Sequence, residues 1–240
     1  MLSRTVNFSP APGYDRVKLV QSFDELVATP FAGGINALCW PRMLPGDFGE
    51  VVAQLGVPDG ITALDEARLR TLALSNAGRI AVEILLDDQQ RLRALGRAPE
   101  LNCIGSYPRD DEPGPVPTDV YSWHADSAPI EADTWLCTYH GAASEGLRHD
   151  EAQRCVDLPA TRAELLKIFG GADDADFREF LNENCYDLHY VSTPHAQPFS
   201  FGLGHLWRIA VDWPESPVPP CVHRAPANTP GQTSRLLLIS

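Results

Sequence analysis

The stretch "YSWHADSAP", residues 121–129, places His124 and Asp126 two positions apart. In an extended chain, residues i and i+2 point to the same face. An imidazole and a carboxylate at this spacing can therefore grip one ion while the residue between them turns away. Two imidazoles and one carboxylate on one side of a metal leave coordination positions open, which is the ligand set of the non-haem iron facial triad. The spacing alone decides nothing. Seven histidines and 32 acidic residues in a chain of 240 give roughly one H-x-[DE] match by chance, and His149-x-Glu151 is a second match. That rival lies in the charge-dense "GLRHDEAQRCVD" and reads as a solvated loop. The third ligand beside His124 and Asp126 has to come from a distant strand. His223, ending the apolar run "VPPCVH", is the candidate; a turn-rich loop follows it, and Arg235 opens a final apolar strand, "RLLLIS".

Taken together, His124-x-Asp126, the distal His223 and the later Arg235 resemble the Fe(II)- and 2-oxoglutarate-dependent oxygenases, over the C-terminal half of the chain. The layout "HADSAPIEADTWLCTYHG" with "VHRAP" and the terminal "RLLL" also resembles an uncharacterised bacterial branch of that superfamily. The resemblance implies Fe(II) held by His124, Asp126 and His223, with 2-oxoglutarate as co-substrate. It implies Arg235 as the ion-pair partner of the far carboxylate, a task suited to a planar guanidinium fork. Thr138 or Tyr139, on the strand after the motif, adds a hydroxyl to the same carboxylate. Which of them faces inward depends on register, because a slip of one residue exchanges the faces. The implied reaction is hydroxylation of a small-molecule or protein substrate, with release of succinate and CO2. Asp126 stands where halogenating relatives have a small residue, which argues against halogenation. Two departures matter. Leu237 occupies a position where the family often has serine, and Arg224, next to His223, is a rival to Arg235 that points away from the ligand face in extended chain. The competing readings are a cupin-like metalloenzyme that does not use 2-oxoglutarate and a non-catalytic β-sandwich binding module.

The elements that position these residues change in texture along the chain. The first hundred or so residues read mainly as helix. Ser22-x-x-Glu25 and Thr62-x-x-Asp65 look like N-terminal caps, a short helix begins near Asp47, and residues 63–95 form two helices or one broken near Asn76-Ala77-Gly78. Proline and acid accumulate over residues 107–119 and mark a loop or seam. Beyond it, "DVYSWHAD", "DTWLCTYHG", "GHLWRIAVDW", "VPPCVHRAP" and "SRLLLIS" read as strands. They are interrupted by "RAELLKIF", capped at Thr161-x-x-Glu164, and by a second short helix in "DDADFREFLNENC". The expected fold is α+β, with a double-stranded β-helix (jelly-roll) core, a helical N-terminal layer and a helical insertion. Residues 1–118 form the layer, and residues 119–240 the core with its insertion around 160–204, as one integrated domain.

Composition bounds the function. Nineteen basic against 32 acidic residues give a net charge of −13, which argues against nucleic-acid backbone binding and against docking on anionic membranes. No apolar run approaches the ~18–20 residues of a spanning helix, and no secretory apolar region opens the sequence, so a cytoplasmic protein is expected. Six dispersed cysteines without a C-x-x-C pair read as reduced thiols rather than a zinc site. No glycine-rich phosphate loop is present. Oligomeric state stays open.

Overall fold

The structure is a computed structural model and describes residues 13–56, 60–109, 114–227 and 234–240. Its helices begin where polar side chains can accept orphan backbone N–H groups. Ser22 caps α1 (Phe23–Ala28) by accepting from the Glu25 amide, and Asp47 caps α2 (Phe48–Leu55) in the same way through Glu50. Thr62 caps nothing: it lies within a strand, and Asp65 starts α3 (Glu66–Arg70). Ser75 caps the long α4 (Asn76–Ala94), so the break falls just before Asn76 rather than at Gly78. Thr161 is likewise inside a helix. Pro159 opens α5 (Pro159–Phe169), because its fixed φ suits the first turn and its missing N–H is lost without cost there. Asp174 caps α6 (Ala175–Glu183).

The strands form two sheets. The larger has seven, in the order β1 (Val17–Leu19), β2 (Ala37–Trp40), β11 (Leu206–Ala210), β6 (Asp133–His140), β13 (Arg235–Ile239), β4 (Glu100–Ile104) and β3 (Ile61–Ala63). All its pairs are antiparallel except β1 with β2. The smaller has six antiparallel strands: β10 (Phe199–Ser200), β7 (Glu145–Gly146), β12 (His223–Arg224), β5 (Trp123–His124), β9 (His189–Ser192) and β8 (Ala152–Arg154). Within the stretch expected as a mainly helical layer, α1 to α4 alternate with β1 to β4, which join the large sheet. The expected insertion begins with α5 and α6 and returns as β9 and β10 of the small sheet.

Strand alternation sorts the large sheet into two faces. Trp135, Cys137 and Tyr139 of β6, Leu236 and Leu238 of β13, and Leu101 and Cys103 of β4 pack under α1, α2 and α4, against residues such as Leu26, Val51 and Leu85. Leu136, Leu237 and Ile104 point the other way, into a second core with Trp207, Phe199 and Phe201 that joins the two sheets. Each buried leucine contributes roughly 1.5–3 kcal/mol, so a slip of one residue along β6 or β13 would forfeit packing on both faces at once. The result is an α+β structure of two antiparallel sheets with helices on the outer face of the larger. Among the described residues, no helix is long and apolar enough to cross a membrane.

Candidate metal centre

β5 and β12 are neighbours in the small sheet, and their register sets His124 directly opposite His223. Directly paired residues project from the same face, so strand pairing alone brings the two imidazoles together across 99 residues of sequence. Their ring centroids are 4.6 Å apart. Asp126 follows the end of β5, and its backbone is anchored where its carbonyl accepts from the Asp212 amide at 2.7 Å. Its carboxylate lies 4.0 Å from His124 Nε2 and 3.7 Å from His223 Nε2. One ligand atom from each of the three residues lies within 4.8 Å of the others. Ligands bound at about 2.1 Å sit about 3 Å apart on one octahedral face, so an ion would draw these atoms together by about 1–2 Å.

Hydrogen bonds fix which atoms are offered. His124 Nδ1 lies 2.8 Å from the Ser122 carbonyl and His223 Nδ1 lies 3.2 Å from the Cys221 carbonyl. A carbonyl only accepts, so each Nδ1 carries the proton and each Nε2 presents its lone pair to the shared centre. Thr134 donates to Asp126 Oδ2 at 2.6 Å and holds the carboxylate in place. Burial, followed by the neighbouring His223, brings His124 down to about 4, so its ring is neutral near pH 7. Burial works to raise Asp126, but His223, the Thr134 hydroxyl and His124 outweigh it and keep the carboxyl below its ordinary value. Two imidazoles and one carboxylate are a donor set suited to a divalent cation. The residues flanking the two histidines turn away from the shared centre. Trp123 packs with Leu147 and Val222, and Arg224 lies over its ring while pairing with Glu145 at 2.7 Å. Arg224 is thereby removed as a rival to Arg235.

Arg235 opens β13 on the strand face that looks toward the small sheet. It is buried, at 5 % exposure. Its guanidinium donates to the Tyr107 hydroxyl at 2.8 Å, the Ser144 hydroxyl at 3.0 Å and the Ala142 carbonyl at 2.8 Å, with Thr138 Oγ1 at 3.4 Å. Among the described residues, no carboxylate stands within ion-pair distance of it. Burial accordingly lowers its pKa from the ordinary guanidinium value. A cavity of about 270 Å³ has Arg235, Tyr107 and Ser144 in its wall together with His124, Asp126 and His223. The register also settles which hydroxyl of β6 accompanies Arg235. Thr138 pairs with Leu237 and shares its inner face, whereas Tyr139 lies on the helix side, donating to Asp88 of α4 at 2.7 Å. Tyr139 is therefore withdrawn from the site. Thr134, which braces Asp126, and Thr138, beside Arg235, stand four residues apart on β6, a separation of roughly 13 Å.

Sequence reasoning missed Tyr107, Ser144 and Thr134, each a single hydroxyl with no spacing signal of its own. It also gave no weight to His189, which sits opposite His124 on β9 and meets the Ser122 hydroxyl at 2.8 Å through Nδ1. His149, from the rival H-x-E pair, lies in a short turn of helix away from this cavity. The thiols of Cys137 and Cys221 are pushed up to about 12, chiefly by burial, which leaves them protonated packing groups. Comparison of the chain with protein-family models, with curated proteins and with solved structures found no match.

Proposed function

We propose that this chain is an Fe(II)- and 2-oxoglutarate-dependent oxygenase, with its two sheets forming a double-stranded β-helix, that hydroxylates its substrate and releases succinate and CO2. The observation that carries the reading is the buried Arg235. A cation held out of water with hydroxyl and carbonyl partners and, among the described residues, no anion is costly, and a ligand carboxylate would complete it. It opens on the same cavity as a triad of two imidazoles and a carboxylate. A binding module needs neither feature, and a metal site without a dicarboxylate leaves the arginine unexplained.

In this reading His124, Asp126 and His223 hold the iron, and Arg235 with Thr138, Tyr107 and Ser144 takes the far carboxylate of 2-oxoglutarate. Bound there, the pair supplies dioxygen activation coupled to oxidative decarboxylation. The chain's own residues do the positioning. The Ser122 and Cys221 carbonyls hold the imidazole tautomers, Thr134 orients Asp126, and the hydroxyls around Arg235 aim its fork. Ser144 offers from the β6–β7 connection the hydroxyl that Leu237 lacks. Leu136 and Leu237 form a dry wall between the two ends.

Anaerobic Fe(II) with 2-oxoglutarate should produce a weak visible metal-to-ligand charge-transfer band that is absent in His124→Ala. Iron binding without the band would leave a metal protein that does not use 2-oxoglutarate. Failure to bind any divalent ion would remove the reading altogether.

A further inference from the structure

The polar side chains of the cavity are almost all accounted for. Three form the triad, and Tyr107 and Ser144 bond to Arg235. Asn102 remains. It lies in the middle of β4, directly opposite Leu237 of β13 and Ala63 of β3, and shares their face, while its neighbours Leu101 and Cys103 pack into the helix-side core. It is only 7 % exposed and lines the cavity, yet its side-chain amide has no hydrogen-bond partner among the described residues. Around it the wall is aliphatic, with Ile104, Leu237 and Ile239 beside it and Ile61 and Val120 farther out. Ile61 and Val120 are 50 % and 38 % exposed, so they form an apolar rim.

Resting on the oxygenase reading for what fills the neighbouring positions, we infer that Asn102 is the anchor for the hydroxylated substrate. That substrate is a mainly apolar small molecule, or the apolar end of a longer one, carrying an uncharged amide-like group. Three features lead there. The described charges in the wall, Asp126 and Arg235, are taken by metal and co-substrate, so a charged group on the substrate would be buried without a counterion. Asn102 offers both a carbonyl acceptor and two N–H donors, which matches an amide in both directions. The cavity of about 270 Å³ is at the small end for ligand pockets, and the exposed Ile61 and Val120 extend it with apolar surface.

The test uses hexanamide, hexanoate and hexylammonium as probes, titrated calorimetrically into the full chain with and without Mn(II) plus 2-oxoglutarate. Hexanamide should bind at least about tenfold tighter than either ion. Asn102→Leu, with the same branched shape, should abolish that preference and leave Mn(II) and 2-oxoglutarate affinity within about twofold. Asn102→Asp should shift the preference to hexylammonium. The inference is overturned if hexanoate is preferred once Mn(II) and 2-oxoglutarate are bound, if neither substitution changes the ranking, or if Asn102→Leu weakens 2-oxoglutarate as much as hexanamide, which would assign Asn102 to the co-substrate. Should the chain bind neither metal nor 2-oxoglutarate while the Asn102-dependent preference for hexanamide persists, the oxygenase reading fails and the ligand class stands.

Discussion

Arg235 and Thr134 are the residues at which the oxygenase reading is most exposed to test. The fork of Arg235 is aimed by contacts with Tyr107, Ser144 and the Ala142 carbonyl, and those contacts need several N–H groups in one plane. A lysine keeps the charge but not the fork. Charge-assisted hydrogen bonds contribute about 1.5–3 kcal/mol each, so Arg235→Lys should weaken 2-oxoglutarate by about ten- to a hundredfold. Fe(II) affinity should hardly move; equal losses of both would mean that the substitution disturbs the fold instead. Thr134 acts on the other end. Thr134→Val keeps the shape and removes the hydroxyl that fixes Asp126, and loss of such a partner lowers metal affinity about 10–100-fold. A Co(II) titration reads this directly, with Thr134→Ser restoring most of it. At this scale the His124–Asp126 half of the candidate triad was legible in the sequence, because i, i+2 spacing in extended chain is itself a geometric statement. The supporting hydroxyls were not, because Tyr107 and Ser144 reach Arg235 from separate connections whose approach only the folded sheets define.

Among the elements, the pairing of β5, β12 and β7 does the most for the site, since His223 is registered against His124 on one side and Gly146 on the other. Gly146 is small for a reason: a Cβ built on it would overlap the Cζ edge of the ring of Phe199, which pairs with it from β10. Gly146→Ala should therefore cost about 1–3 kcal/mol in urea denaturation through overpacking, and should reduce metal affinity by pushing β7 away from His223. Adding Phe199→Leu to the same chain makes room for the methyl group. A double-mutant cycle should then show a favourable coupling between the two sites, and simple additivity would show that Phe199 is not what crowds the position. The C-terminal strands could be read from their apolar and aromatic runs. β2 and β4, each only four or five residues and lying within a helix-rich region, could not, because a short apolar run fits a strand and a buried helical turn equally well. The cap at Ser22 was legible, while those at Thr62 and Thr161 were displaced by better starts at Asp65 and Pro159.

Across the whole molecule, the large sheet separates two cores with different duties. The inner one, shared by the sheets, carries the cavity; the outer one, shared with the helices, contains its own polar knot. In that knot Asp88 of α4 accepts from Arg42 at 2.7 Å and from the Tyr139 hydroxyl at 2.7 Å, all three side chains being buried. Asp88→Ala would leave a guanidinium and a phenol without their acceptor. Breaking a buried pair from one side costs about 3–5 kcal/mol, a large part of the roughly 5–15 kcal/mol that keeps a typical domain folded. The thermal midpoint should fall sharply. Below the new midpoint, Fe(II) and 2-oxoglutarate affinities should stay within about twofold of the parent, because Tyr139 and Thr138 are adjacent in sequence yet belong to opposite faces of β6. A loss of 2-oxoglutarate affinity in folded Asp88→Ala protein would show that the sheet transmits strain between its faces. That result would make the helical layer a determinant of the site's geometry as well as its support.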